Sequence, residues 1–137
     1  MRTLLASRLG TAVRLGVLTA AVLGTAHVST AVAARHIGLA SSTPAKDSHV
    51  MAAPKEIRLT FSGPVDVKKA SVELVAVDNK AITLDSLRAV VDSPKVAVAK
   101  VLGTVSGGTY TVKWKAVAAD GALGSGSFNF MYMASGK

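Results

Sequence analysis

Gly108-Thr109-Tyr110-Thr111-Val112-Lys113-Trp114-Lys115-Ala116 reads as a β-strand with one buried face. Tyr110, Val112, Trp114 and Ala116 fall on one side, and Lys113 and Lys115 on the other. That period of two belongs to an extended chain. Gly107-Gly108 marks a tight turn before it. Downstream, Phe128, Phe130 and Tyr132 share one face, with Asn129, Met131 and Met133 opposite. The glycine-rich residues 121–126 (GALGSG) read as a loop between these two strands.

Working back toward the N-terminus, residues 56–61 (EIRLTF) alternate, with Ile57, Leu59 and Phe61 on one face. Residues 71–77 place Val72, Leu74 and Ala76 together, with Val75 and Val77 opposite. A turn at Asp78-Asn79-Lys80 leads into extended residues 81–90, a break at Ser93-Pro94 and a rough alternation over 95–102. Leu39 to Ser42 makes a first short strand, and residues 47–54 read as a second loop. Helices after residue 34 are single turns at most, over 45–53 or 65–70. About seven strands separated by turn signals predict an antiparallel sandwich or barrel. The predicted interior is Ile57, Leu59, Phe61, Tyr110, Val112, Trp114, Phe128 and Phe130. Loops at the ends of such a sandwich are the usual place for function.

The N-terminal segment has a different character. Arg2, Arg8 and Arg14 precede an uncharged apolar run of 12 residues, 15–26 (LGVLTAAVLGTA), and Ala31-Val32-Ala33-Ala34 follows with small residues. That order is the signature of a secretory signal peptide, cleaved after Ala33 or Ala34. The run falls short of the ~20 apolar residues of a spanning helix, although an uncleaved anchor is the alternative. Residues 1–34 are thus assigned to a signal peptide and 35–137 to one domain. Three of the 16 basic residues leave with the signal and none of the 8 acidic ones, so 13 against 8 gives the remainder a charge of +5. These charges are dispersed, and one Trp and two Tyr accompany them. That pattern lacks the basic stripe with stacking aromatics expected of a nucleic-acid binder. The chain has no cysteine, so the domain is held by its core, without disulfides or thiolate ligands. Any metal has to use imidazole, carboxylate, thioether or backbone nitrogen.

A search for catalysis finds no P-loop, GxGxxG, GxSxG or HExxH motif. The carboxylates are single and dispersed, so the chain is read as a non-enzyme. What stands out is a set of blocks in fixed order: His36, then Ser41-Ser42-Thr43-Pro44, then residues 53–62 (APKEIRLTFS), then residues 108–114 (GTYTVKW), then Asp120-Gly121, then Gly126-Ser127-Phe128-Asn129-Phe130. From His36 to about Met133 this resembles the CopC family of bacterial periplasmic copper-resistance proteins. The resemblance implies a Greek-key, Ig-like β-sandwich. It also implies a monomer that binds or buffers copper in tolerance or delivery, alongside a CopD-type inner-membrane copper transporter.

Family members hold Cu(II) with a histidine at the mature N-terminus and an Asp-x-His pair in the loop after the Trp strand. Some add a Glu just beyond the second strand. Carried over, the resemblance implies His36 and Asp120 as ligands, whereas the second histidine position is Ala122 and the Glu position is Gly63. The Met-rich loop that some members use for Cu(I) is not visible. Imidazole and carboxylate suit Cu(II), but His36 also reads as an exposed terminal histidine and Asp120 as a turn-former before glycine. Cleavage after Ala33 would leave Ala34-Arg35-His36, a third-position histidine that can wrap amine, amides and imidazole around Cu(II) in a plane. Cleavage after Ala34 puts the imidazole second. His49 with Met51, and Met131 with Met133, are two further pairs of soft donors, each with an ordinary packing or solvent role as its alternative. The rival to a copper protein is a CopC-like envelope interaction module that has lost metal binding.

Overall fold

The strands with the cleanest alternation form the centre of two facing sheets. The computed structural model describes residues 35–136; the signal-peptide assignment lies outside them. The strands are β1 (Leu39–Thr43), β2 (His49–Val50), β3 (Glu56–Phe61), β4 (Ser71–Ala76), β5 (Ala81–Ile82), β6 (Arg88–Val90), β7 (Ser93–Lys100), β8 (Gly108–Val117) and β9 (Leu123–Tyr132). One sheet has the order β1-β3-β7-β6 and the other β2-β9-β8-β4-β5. All pairings are antiparallel except β2 with β9, which is parallel. The all-β sandwich expected from the alternation is what forms.

The inward faces of β3, β8 and β9 match their sequence patterns, whereas β7 buries three consecutive residues, Ala97, Val98 and Ala99. Ile57, Leu59, Val112 and Leu74 are fully buried, with Phe61, Tyr110, Trp114, Phe128 and Phe130 nearly so. Phe61 of one sheet meets Trp114 of the other edge-on, with ring centroids 5.4 Å apart. Tyr110 and Phe130, direct partners across β8 and β9, stack at 5.6 Å. The Tyr110 hydroxyl donates to the Ser106 carbonyl (2.7 Å) and accepts from the Ser106 amide (2.9 Å). This satisfies its one polar atom at the edge of an apolar core.

Three details differ from the sequence reading. Residues 81–90 are two strands, not one: β5 pairs with β4, and β6 pairs with β7 in the opposite sheet. The loop 47–54 contains β2, tied to the last strand by the Asp47 amide on the Asn129 carbonyl (2.7 Å). Most of residues 121–126 belongs to β9, with Gly126 opposite Trp114 and Gly124 opposite Ala116. The only helix-like feature of the 65–70 region is one turn, closed by the Lys69 and Ala70 amides on the Asp66 carbonyl (both 3.1 Å).

Candidate metal centre

His36 is placed by the residue after it. Ile37 is 4% exposed and inserts into the core, so the neighbouring His36 side chain is left on the surface. His36 pairs with Leu123 in a single parallel bridge, and the Ile37 amide donates to the Leu123 carbonyl (3.4 Å). A second tie fixes the segment to the end of β3. The Gly38 amide donates to Ser62 Oγ (3.0 Å), and the Ser62 amide donates to the Gly38 carbonyl (2.8 Å). The approach of Ile37 to β9 depends on Gly124, because a Cβ there would collide with the Ile37 carbonyl oxygen and Cγ2. Backbone cannot yield as a flexible side-chain tip can. Gly124→Ala is therefore expected to cost about 1–3 kcal/mol, the range for forced overpacking, and to loosen the segment carrying His36. A thermal midpoint equal to that of the parent would contradict this contact.

Asp120 sits in the tight turn joining β8 to β9. The Gly121 amide donates to the Ala118 carbonyl (2.9 Å), and the Ala118 amide to the Ala122 carbonyl (2.8 Å). Gly121 has φ +87°, a left-handed conformation that suits glycine. Asp120 Oδ1 accepts the Ala122 amide (3.1 Å), the local bond that makes Asp a turn residue. The Ala119 amide donates to the Pro64 carbonyl (3.0 Å), which draws the segment after β3 alongside. These ties gather all four positions implied by the resemblance, His36, Gly63, Asp120 and Ala122, around one cavity of about 440 Å³.

The donors at that cavity are sparse. Gly63 and Ala122 line it without a donor side chain. Asp120 Oδ2 lies 3.6 Å from Arg35, in an ion pair whose side chains are 80% (Arg35) and 52% (Asp120) exposed. A pair this open to water contributes only about 0–1 kcal/mol, so an incoming cation displaces the guanidinium at little cost. Among the described residues, no three His, Cys, Asp or Glu side chains cluster as a metal group. Among the described residues, the cavity thus offers one imidazole and one carboxylate. His49, Met131 and the other soft donors lie elsewhere, at the far end of β9.

Known proteins share this fold. The CopC domain profile matches residues 39–133, which include Gly63, Asp120 and Ala122. Protein YobA of Escherichia coli K12 is 33% identical over 111 residues, covering 80% of this chain and 88% of its own. The solved structure of PcoC, a methionine-rich copper resistance protein from Escherichia coli, is 30% identical. It superposes with a TM-score of 0.64 over 72% of this chain and all of its own (100%). CopC from Methylosinus trichosporium OB3b, at 24% identity, shares the fold with a TM-score of 0.68 over 74% of this chain and 98% of its own. With the profile spanning well over half its length and the same two-sheet sandwich beneath it, this chain belongs to the CopC family.

Proposed function

We propose that the protein is exported to the periplasm and binds Cu(II) there through His36, with Asp120 as second ligand, to buffer or deliver copper in copper tolerance. The observation that carries this reading is the shared cavity: His36 and Asp120, far apart in sequence, line one surface pocket. Imidazole nitrogen and carboxylate oxygen are donors that Cu(II) accepts in its preferred tetragonal arrangement. Amine and amide nitrogens of the processed N-terminus complete the set. The kinship with a copper resistance protein of known structure supports copper as the cargo. In this reading the protein acts as a monomer without catalysis and exchanges copper with a CopD-type membrane transporter.

A second reading has its own support. Ala122 and Gly63 leave two of the four positions implied by the resemblance without a donor side chain, and both Asp120 oxygens are engaged, one by Arg35 and one by the Ala122 amide. A family member with such a pocket can serve the envelope as an interaction module without metal. Titration of the exported, processed protein with Cu(II), followed by visible absorption, separates the two. One weak-to-moderate site with a ligand-field band is expected, and His36→Ala should remove it. A parent protein with no band leaves the interaction module standing. The mass of the same sample decides between cleavage after Ala33 and after Ala34.

A further inference from the structure

β2, at the edge of its sheet, pairs with only the last two residues of β9, Met131 and Tyr132. Along β9, alternate residues turn their backbone groups away from β8, and three hydrogen bonds show which ones. The Leu123 carbonyl accepts the Ile37 amide (3.4 Å), the Asn129 carbonyl accepts the Asp47 amide (2.7 Å), and the Met131 amide donates to the Ser48 carbonyl (2.8 Å). The register of β9 on β8 is unbroken from Leu123 to Tyr132. Ser125 and Ser127 therefore point their amides and carbonyls to the same open side. Among the described residues, nothing takes them. The chain that touches β9 at Ile37 crosses to the opposite sheet as β1 and returns only at Asp47. It leaves a slot between Leu123 and Asn129, about 20 Å long at ~3.3 Å per residue. Ser125, Gly126 and Ser127 are all exposed along it.

We propose that this slot takes an extended segment of a partner protein, added as a further strand along β9, with acidic side chains at every second position. An uncovered row of backbone donors and acceptors is a template for strand addition. The outer face beside it supplies the chemistry of the partner. Ser125 and Ser127 stand opposite Lys115 and Lys113 of β8, and all four are exposed. With Ser71 and Glu73 of β4 they line a hollow of about 420 Å³. Glu73, opposite Lys113, is the one carboxylate there against two ammonium groups, so the face is cationic. An added strand lies ~10 Å from β8, two strand spacings away. The short serines leave that distance clear for the lysines to meet glutamate or aspartate on the newcomer. The same lysines oppose a second copy, because pairing two β9 edges brings two cationic faces together. The slot begins at Leu123, the bridge partner of His36, so the partner lies beside that cavity. The inference holds whether or not the cavity takes copper.

The probe is an acetylated and amidated peptide of alternating glutamate and threonine, with a lysine–threonine peptide as control. Binding to the exported, processed protein is followed by NMR titration and amide hydrogen exchange. The glutamate peptide should slow exchange of the Ser125 and Ser127 amides at least tenfold, and the control should leave them unprotected. Lys113→Glu combined with Lys115→Glu should weaken the glutamate peptide at least tenfold. Ser127→Pro should remove binding, because proline lacks the amide and is tolerated on an edge strand whose N–H faces solvent. If the proline variant does not fold, the lysine reversal decides alone. Equal affinity for the two peptides, serine amides unprotected at saturation, or indifference to the lysine reversal would overturn the proposal. Protection of the same amides without peptide, rising with protein concentration, would assign the edge to a second copy and overturn it as well.

Discussion

Trp114→Ala should lower the unfolding free energy by roughly 3–5 kcal/mol, the range for removing a large ring from a packed core. The ring is 8% exposed and lies at the seam of the sandwich. It meets Phe61 of the other sheet edge-on at 5.4 Å and an interplanar angle of 66°. Its other side lies against its cross-strand partner Gly126, where an added methyl carbon would sit 2.9 Å from the indole. Its cross-strand partner, Gly126, has no side chain to move into the space it vacates. Domains of this size have roughly 5–15 kcal/mol in all, so the variant should be near its unfolding threshold at 37 °C. Urea unfolding followed by far-ultraviolet circular dichroism measures the loss. A cost under about 1 kcal/mol would mean that the ring does not join the two sheets. Trp114→Phe keeps an aromatic edge for Phe61 and should lose less.

The strands that were legible in the sequence are those with one dry face and one wet face. β3 and β8 repeat their alternation over enough residues to fix both period and phase, and their inward residues are the buried ones. β2 and β5 have two residues each, and no period can be read from a pair. Residues 81–90 look like one extended run because the sequence keeps its apolar content while the chain crosses between sheets. Leu84 and Leu87 pack against the core during the crossing. Residues 121–126 look like a loop because of their glycines. Gly124 and Gly126 are strand residues kept small by neighbours that press on them, the Ile37 backbone and the Trp114 ring. Steric demand from distant residues overrides local turn propensity there.

The site divides in the same way. The spacing of His36 from the SSTP block and the Asp120-Gly121 turn are local signals, and both residues line one cavity. The Arg35–Asp120 ion pair is not local: it forms because the bridge between His36 and Leu123 lays the N-terminal segment beside the turn. The sulfur-rich edge was visible only as two unrelated pairs, His49 with Met51 and Met131 with Met133. What unites them is the parallel pairing of a two-residue strand with the last strand, a contact across about eighty residues that no local pattern announces.

Ala122→His is the substitution that decides what the His36 cavity is for. Ala122 lines that cavity, and its amide is already held by Asp120 Oδ1 at 3.1 Å. An imidazole at 122 therefore enters two residues from a carboxylate that faces the same space, restoring the Asp-x-His pair of the family. A true coordination bond should tighten Cu(II) by at least about tenfold, or ~1.4 kcal/mol. The rival cation for Asp120 is the Arg35 guanidinium. Its exposed pairing is worth about 0–1 kcal/mol, less than that gain, so the metal wins the carboxylate. His36→Ala in the Ala122→His background should then abolish the improvement, since both imidazoles would serve one ion. A different pattern is expected if copper sits on the terminus left by cleavage after Ala33, where Ala34-Arg35-His36 wraps the ion with amine, amides and imidazole. Ala122→His would then change the affinity little, and acetylation of the N-terminus would destroy binding. If the parent has no Cu(II) band, the outcome of Ala122→His still separates two kinds of loss. A band that appears only in the variant means that the cavity kept its geometry and lost one donor. A variant as blind to copper as its parent means that the cavity itself no longer serves metal, and the interaction module is the function that remains.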